Sequence, residues 1–427
     1  MKTGILGGGI SGLSFAYFLK SDYEILEKNS RCGGLASSFS ENGFTFDVSG
    51  GHIIFSKDNE TLELMKSVLG ENIVKNKRNT KILFKNRYIK YPFENGLSDL
   101  PKEDNYECLY HYINNPHKEN PANFGEWVYH VFGKGIAEKY MIPYNRKIWK
   151  FDPFRMSMHW VERIPKPPME DVIKSSLGIE TEGYTHQLFF YYPKLNGTQA
   201  LVDAFEHKVK NVTKNFEIVS IEKQKNGKWI VKNKNESKEF DRIVNTLPLQ
   251  DLFKCLKDVP KDVDMAVKNL KYNSLINLCV GIDEPEKTDI SWLYVPEEDV
   301  LFNRVVYLGN YSKETSPKNK SALIVETTFN EGDEMSKMPE KELTEELING
   351  LHKKKILDKS KVCYTKIFKT KYAYIVFDID YNKNLKTVLD YLESISIKST
   401  GRFAEYQYIN MDQCIMRAKN LAMQING

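Results

Sequence analysis

The chain has 427 residues, of which 41% are hydrophobic and 28% charged, so it is too apolar for a disordered protein and too long for one ordinary domain. Lysine and arginine number 61 against 57 aspartates and glutamates, and a net charge of only +4 argues against a protein whose main partner is nucleic acid. Apolar runs such as 53–55 and 188–192 stop well short of the ~20 residues that a membrane span needs. We therefore expect two or three packed units without a membrane span.

The first residues lead directly into a strand-like stretch and contain no pattern typical of an export signal. The cysteines show no C-x-x-C spacing; they are Cys32, Cys108, Cys255, Cys279, Cys363 and Cys414. A redox pair or a zinc site is the alternative interpretation, but the spacing favours reduced thiols and no metal site. These features predict a cytoplasmic protein.

In chain order, the pattern predicts a strand at 5–6, a helix at 10–19 and a second strand at 23–26. Residues 95–173 are rich in aromatic and helix-spaced apolar positions, which predicts a mostly helical region. Further strands are predicted at 217–223, 228–232, 242–246, 276–281, 305–308, 322–328 and 362–368. A final helix is predicted at 413–425.

The sequence Gly7-Gly8-Gly9-Ile10-Ser11-Gly12 joins the first strand to the first helix and fits the pattern G-x-G-x-x-G. Gly7 permits the tight turn, Gly9 lets backbone amides approach a pyrophosphate, and Gly12 allows the helix to pack closely on the strand. Glu27 closes the second strand, where a carboxylate accepts hydrogen bonds from an adenosine ribose and disfavours a 2′-phosphate. The arrangement predicts a bound dinucleotide.

Two glycine-rich segments, 31–37 and 46–52, follow soon after this acidic residue. A backbone of minimal bulk suits a large flat cofactor, so FAD is preferred over NAD, although Gly33-Gly34 alone could form a surface turn. His52 follows two glycines, and a neutral imidazole there can respond to protonation at flavin N5. A hydrogen-bonded core histidine is the alternative.

Nearly the whole chain resembles the UDP-galactopyranose mutase family of flavoenzymes, especially its eukaryotic-type members, which are similar in fold to amine oxidases and protoporphyrinogen oxidase. The matching segments are 50–56, 91–93, 141–149, 160–163, 292–297, 302–304, 372–374 and 401–412. The resemblance implies an α/β fold with a Rossmann-type FAD-binding domain (1–56, 195–260 and 385–427). It also implies an inserted helical subdomain with mobile loops (95–194) and a β-sheet substrate-binding domain (57–94 and 261–384).

The resemblance predicts that His52, Arg163 and Arg304 are catalytic. Guanidinium groups suit bidentate binding of a diphosphate, although either arginine alone could be a solvated surface charge. The predicted substrate-binding residues are Tyr91, Phe93, Glu94, Gln187, Trp292, Tyr294, Tyr374, Tyr406 and Asn410. The predicted cofactor-binding residues are Gly7, Gly9, Ile10, Ser11, Gly12, Glu27, Lys28, Gly34, Leu35, Ala36, Gly50, Gly51, His52, Val219, Arg402, Asn410, Met411 and Asp412.

Some of these residues have a structural alternative. The hydroxyls of Tyr374 and Tyr406 could donate to the same anion, or the two side chains could simply cover core. The amides of 410–412 would form the positive end of the final helix near a reduced flavin, but an ordinary helix cap explains Asp412 equally well.

Three features depart from the family pattern. Glu94 stands where the family usually carries glutamine, and a carboxylate accepts hydrogen bonds without donating them. Uracil is therefore in question as the base, and guanine, which offers two adjacent N–H groups, is an alternative. The loop 192–198 has fewer glycines than the family's loop, and Gln187 takes the position of a family asparagine.

The resemblance implies a redox-neutral isomerase that interconverts the pyranose and furanose forms of an NDP-linked sugar. In that reaction, reduced FAD attacks the anomeric carbon through N5 and displaces the nucleotide diphosphate, and the sugar ring opens and recloses before the diphosphate returns. The implied reductant is NAD(P)H and the implied role is polysaccharide biosynthesis; an oligomer is possible. Two alternatives remain: an FAD-dependent oxidoreductase of the amine oxidase or protoporphyrinogen oxidase type, and a flavin-containing binding protein without turnover.

Overall fold

The computed structural model describes residues 1–164, 166–182 and 188–427. Strands β1 to β19 lie, in order, at Thr3–Leu6, Tyr23–Leu26, Ser38–Glu41, Phe44–Asp47, Val74–Lys77, Thr80–Phe84, Arg87–Lys90, Phe189–Tyr192, Val212–Thr213, Ser220–Lys223, Trp229–Lys232, Ser237–Phe240, Arg242–Asn245, Tyr272–Ile282, Trp292–Tyr294, Arg304–Tyr307, Ser321–Phe329, Val362–Ile375 and Ile397–Ser399. Helices α1 to α13 lie at Ile10–Phe18, Asn59–Leu69, Lys102–Ile113, Phe124–Ile136, Ile142–Trp149, Met169–Ser176, Gln199–Glu206, Leu249–Cys255, Lys261–Asn269, Glu334–Lys337, Glu340–Lys353, Tyr381–Ser394 and Met411–Asn426.

The two ends of the chain meet in a parallel sheet with the strand order β19-β13-β1-β2-β9. Its central strand, β1, is completely buried, which explains its uninterrupted apolar character. Helices α1 and α13 pack against each other beside this sheet, and their buried side chains join those of β1 in one core. The predicted strand, helix and second strand at the start of the chain are confirmed.

A second, larger sheet has the strand order β18-β14-β17-β16-β15-β6-β7. Strands β14 and β17 pair antiparallel from Ser274 opposite Phe329 to Ile282 opposite Ser321, and both are almost wholly buried. The register also sets Arg304 of β16 opposite Glu326 of β17 and opposite Tyr294 of β15. Three polar side chains from separate parts of the sequence thus occupy one row of the sheet.

Helices α3 to α6 form the predicted helical region and share a core with aromatic side chains from outside it. Helix α4 is interrupted at Gly133, where φ is 68°. A Cβ atom at this position would lie 2.1 Å from the His111 carbonyl oxygen of α3. Glycine is therefore required where the two helices cross.

These layers confirm the predicted α/β class, with a parallel dinucleotide-type sheet, a helical insertion and a large, mostly antiparallel sheet. Over the described ranges, we find no helix with both the length and the apolar character needed to cross a bilayer.

Candidate functional site

A cavity of about 1080 Å³ lies where the parallel sheet, the large sheet and the helical region meet. Its lining includes Gly7 and Gly9 of the glycine loop, His52, Arg163, Arg304 and Tyr91. Segments from the whole length of the chain therefore contribute to one cavity.

At one end of the cavity, the N-terminus of α1 is open to a ligand. Gly9 is its N-cap residue, and among the described residues no side chain caps this end and no acidic residue lies in the first turn. The free N–H groups and the positive end of the helix dipole favour an anion. Gly7 has a φ of 107°, and a Cβ atom at Gly12 would lie 2.1 Å from the Gly7 oxygen. Both glycines are thus required by the turn.

Glu27 borders the same end of the cavity. Its Oε2 accepts a hydrogen bond from the Gly8 amide at 2.8 Å, and its Oε1 accepts one from the Asn29 amide at 2.9 Å. These bonds fix the carboxylate at the end of β2, where its remaining lone pairs can accept hydrogen bonds from a ribose. Lys28 and Val219 line the cavity beside it.

His52 lines the cavity, and two hydrogen bonds fix its position. Its Nδ1 is 2.7 Å from the Gly50 carbonyl oxygen, and its backbone amide donates to Asp47 at 3.2 Å. Because a carbonyl only accepts hydrogen bonds, Nδ1 carries the proton. Burial lowers the pKa of the imidazole, and the nearby Arg304 charge lowers it further, against the opposing effect of Asp47. The neutral ring therefore has Nε2 as its free acceptor.

The strand side of the cavity consists of Arg304 and Glu326. Nη2 of Arg304 donates to Glu326 Oε1 at 2.5 Å and to the Gly51 oxygen at 3.2 Å, and the Gly51 amide donates to the same Glu326 oxygen at 3.0 Å. Burial alone would lower the Arg304 pKa, but the Glu326 carboxylate raises it well above its usual value. Arg304 is thus a fixed, permanent cation. Its buried Nε has no hydrogen-bond partner among the described residues.

The loop side of the cavity consists of Arg163, Arg402 and Tyr408. Arg163 ends a 3-10 helix, Val161–Arg163, and its Nη1 donates to the Tyr408 carbonyl oxygen. The guanidinium carbons of Arg163 and Arg402 lie 4.3 and 4.4 Å from the centre of the Tyr408 ring. Arg402 also donates to the Ala373 oxygen at 3.1 Å, and its buried Nε lacks a partner among the described residues. One tyrosine therefore supports both arginines.

Aromatic side chains form another part of the cavity lining. The ring of Tyr294, beside Arg304 in the sheet, lies 5.4 Å from the ring of Tyr91 and 5.2 Å from that of Tyr144. Glu94 lies in the same region, is 2% exposed, and lines the cavity. Burial raises the pKa of its carboxyl to about 7.

The structure brings most of the predicted site residues to the cavity lining: Gly7, Gly9, Ile10, Ser11, Glu27, Lys28, Gly34, Leu35, Ala36, Gly51, His52, Tyr91, Glu94, Arg163, Val219, Trp292, Tyr294, Arg304, Tyr374, Arg402, Asn410 and Met411. Gly12 and Gly50 lie directly behind lining residues. Asp412 lies in the first turn of α13 and accepts a hydrogen bond from Ser56 at 2.8 Å. Gln187 lies outside the described residues.

Two predicted substrate contacts need correction. Tyr406 is completely buried outside the lining; its hydroxyl donates to the Leu270 oxygen at 3.0 Å and accepts from Gln250 at 2.9 Å. With its hydroxyl bonded in this way, it has no donor to offer a ligand. Phe93 is also completely buried, and its ring stacks on Tyr140 at 5.0 Å. Tyr140, which does line the cavity, separates Phe93 from it.

Glu326 and Tyr408 are two residues of this site that the sequence did not single out. An acidic residue in the otherwise apolar run 323–326 was a usable signal, since a charge buried in a central strand needs a partner. No comparable signal distinguished Tyr408 from Tyr406, because the irregular segment between β19 and α13 lacks a period that would show which side chains face inward.

Comparison with known proteins agrees with this geometry. The family model described as flavin containing amine oxidoreductase matches residues 10–379, and the chain belongs to this family. A solved structure of reduced UDP-galactopyranose mutase is 26% identical, with a TM-score of 0.91, over 99% of this chain and 95% of that one. The resemblance noted in the sequence is therefore confirmed.

Two further solved structures share the fold at lower identity. A putative protoporphyrinogen oxidase from Exiguobacterium sp. 255-15 is 16% identical with a TM-score of 0.76, covering 100% of this chain and 98% of its own. A putrescine oxidase variant is 14% identical with a TM-score of 0.69, covering 99% of this chain and 98% of its own. The family match and the mutase structure together make the chain a flavoenzyme of the amine oxidase superfamily.

The residues present fit FAD. A Cβ atom at Gly9 would meet nothing closer than the Gly33 oxygen at 4.0 Å, and one at Gly34 nothing closer than 3.5 Å, so both glycines leave open space beside the bare helix end. The unpartnered Nε of Arg402 supplies a buried donor on the same lining. A pyrophosphate and a flat ring system need this combination of open backbone and fixed donors.

Proposed function

We propose that this protein is a redox-neutral, flavin-dependent nucleotide-sugar mutase that interconverts the pyranose and furanose forms of an NDP-linked sugar. One observation carries the proposal: Arg163 and Arg304, which are far apart in sequence, line the same cavity as His52. Two guanidinium groups beside a flavin site are suited to a diphosphate, and an amine or a porphyrinogen needs neither.

The arginines hold the leaving group. Arg304 offers donors that the sheet has already fixed, while Arg163 can exchange the Tyr408 carbonyl for a phosphate oxygen. Tyr374, also on the lining, can add a neutral hydroxyl donor. Because the released diphosphate stays bound next to the sugar, its return is effectively unimolecular.

The remaining residues position the cofactor and manage protons. The N-terminus of α1 would hold the pyrophosphate and Glu27 the ribose. The first residues of α13, whose amides are partly satisfied by the capping box of Asn410 and Gln413, would meet the flavin's pyrimidine edge. When bound, reduced FAD supplies a nucleophilic ring nitrogen for the anomeric carbon. His52, neutral and fixed through Nδ1, can accept a proton at Nε2.

The activity has wider implications for the protein. NAD(P)H is the proposed external reductant, needed only to bring the flavin into its active state. The product would serve polysaccharide biosynthesis in the cytoplasm.

The test is incubation of the holoenzyme, reduced with dithionite under anaerobic conditions, with UDP-, dTDP- and GDP-linked hexopyranoses. We expect a furanose product by chromatography from at least one of them, and none from the oxidised enzyme. No product from any sugar, together with reduction of the oxidised flavin by an amine or a porphyrinogen, would replace the mutase with an oxidoreductase.

A further inference from the structure

Glu94 has an environment that the chemistry above does not use. It lies in the 3-10 helix Phe93–Asn95, lines the cavity, and is 2% exposed. Among the described residues, its carboxyl accepts a hydrogen bond from its own backbone amide but forms none with another side chain and no ion pair. The titratable groups on which it acts are the phenols of Tyr112 and Tyr140, whose pKa values are raised mainly by burial and additionally by Glu94. Neither phenol supplies a cation.

The position of Glu94 relative to the arginines defines which part of a nucleotide it would meet. Tyr294 is the cross-strand neighbour of Arg304, and its ring contacts that of Tyr91. Pro92 and Glu94 also line the cavity. Through Tyr294, the lining connects Arg304 with Tyr91, so we assign Tyr91 and Glu94 to the base of a nucleotide whose diphosphate lies at Arg304.

A buried carboxylate without a cation needs hydrogen-bond donors. The pairing edge of guanine offers two adjacent donors, N1–H and the 2-amino group, which match the two oxygens of a carboxylate. Uracil offers a single N–H between two carbonyls, so one carboxylate oxygen would face a carbonyl lone pair. An aromatic ring such as Tyr91 can stack on either base.

We propose that Glu94 is a specificity-determining residue that selects guanine, so that the substrate of this site is a GDP-linked sugar. The claim that the substrate carries a sugar rests on the proposed function. The claim that the site prefers guanine does not, because binding of a nucleoside diphosphate without a sugar is enough to test the base preference.

The experiment measures binding of GDP, UDP and ADP to the FAD-loaded protein by calorimetry at pH 8. We expect GDP to bind at least about tenfold more tightly than UDP or ADP, since two donors replace an unsatisfied acceptor. In Glu94→Gln, the amide offers one donor and one acceptor and fits the N3–H and O4 of uracil, so the preference should reverse. Glu103→Gln, which removes an exposed carboxylate outside the cavity, is the matched control and should retain the GDP preference.

The outcomes separate the two proposals. Equal or tighter binding of UDP or ADP by the unaltered protein overturns the reading of guanine, whether or not Glu94→Gln folds, and so does an unchanged GDP preference in a folded Glu94→Gln. Formation of a furanose only from a UDP-sugar would support the mutase activity and contradict the preference for guanine. Tight binding of GDP without furanose formation from any nucleotide sugar would support the preference for guanine and contradict the mutase activity.

Discussion

The two sides of the cavity present the same chemical group on supports of different rigidity. On the strand side, Arg304 lies in the middle of a sheet and is held by the buried carboxylate of Glu326. On the loop side, Arg163 ends a short 3-10 helix and is held by the carbonyl and ring of Tyr408. The first arrangement is preorganised, whereas the second is made of contacts that a ligand can replace.

This difference assigns different tasks to the two arginines. A fixed cation lowers the cost of stabilising charge as it develops, because little has to move during the reaction. A cation held by replaceable contacts can release and recapture a ligand. We therefore expect substitutions on the strand side to affect stability and kcat, and substitutions on the loop side to affect mainly binding.

The largest effect is expected from Glu326→Gln, which leaves the partly buried guanidinium of Arg304 without a counter-charge. Removing one partner of a fully buried ion pair costs about 3–5 kcal/mol of stability, and because Arg304 is 20% exposed we expect a loss near the lower end, about 3 kcal/mol. Urea denaturation with saturating FAD measures this loss. The double variant Glu326→Gln with Arg304→Met should recover most of it, because no unpaired charge remains. Equal instability of the single and double variants would mean that Arg304 is not the group that Glu326 neutralises.

Arg304→Lys keeps the charge but loses the planar donor pair, and we expect kcat for furanose formation to fall roughly 100-fold. The matched variant Arg163→Lys should raise KM about tenfold with a smaller change in kcat. Steady-state kinetics with the reduced enzyme measures both. If the two variants have the same kcat and KM values, the two arginines do not have the different roles in catalysis and binding that we propose.

Tyr408→Leu removes the ring beside Arg163 and Arg402, and each cation–π contact contributes about 0.5–1 kcal/mol. We expect the affinity for a nucleoside diphosphate to weaken roughly five- to tenfold. Tyr408→Phe keeps the ring and should bind within about twofold of the unaltered protein. Calorimetric titration of the holoenzyme measures the difference. If Tyr408→Phe binds as weakly as Tyr408→Leu, the hydroxyl of Tyr408, and not its ring, is responsible for the loss of affinity.

The smallest effect concerns two buried carboxyls that differ in their partners. Glu326 has Arg304, whereas Glu94 is raised to a pKa of about 7 by burial. Glu94 is thus mostly neutral at pH 6 and mostly ionised at pH 8. Guanine binds the ionised form, so the ratio of GDP to UDP affinity should rise at least about fivefold over this interval. In Glu94→Gln, which has no carboxyl to titrate, the affinity ratio should not change with pH. An unchanged ratio in the unaltered protein as well would show that Glu94 does not titrate between pH 6 and 8.

Features that depend on local sequence were predictable. The turn at Gly7, the helix starting at Ile10 and the position of Glu27 at the end of β2 follow from short-range spacing, since neighbouring parallel strands and their connecting helix bring them together. The resemblance to a flavoenzyme family added His52, Arg163 and Arg304 to the residues that could be predicted for the site. It did not separate Tyr406 from Tyr408, because their segment has no regular secondary structure.

The sequence by itself determined the dinucleotide loop, the α/β class and the residue types available for binding an anion. Tertiary structure decided which of these groups are neutralised and which are left to act. Glu326 and Glu94 are both buried glutamates, yet the strand register gives Glu326 a guanidinium partner, whereas Glu94 lies on the cavity lining without a cation among the described residues. The physical reason is that the ionisation of a buried carboxyl depends on neighbours brought close by the fold, which are not its neighbours along the chain.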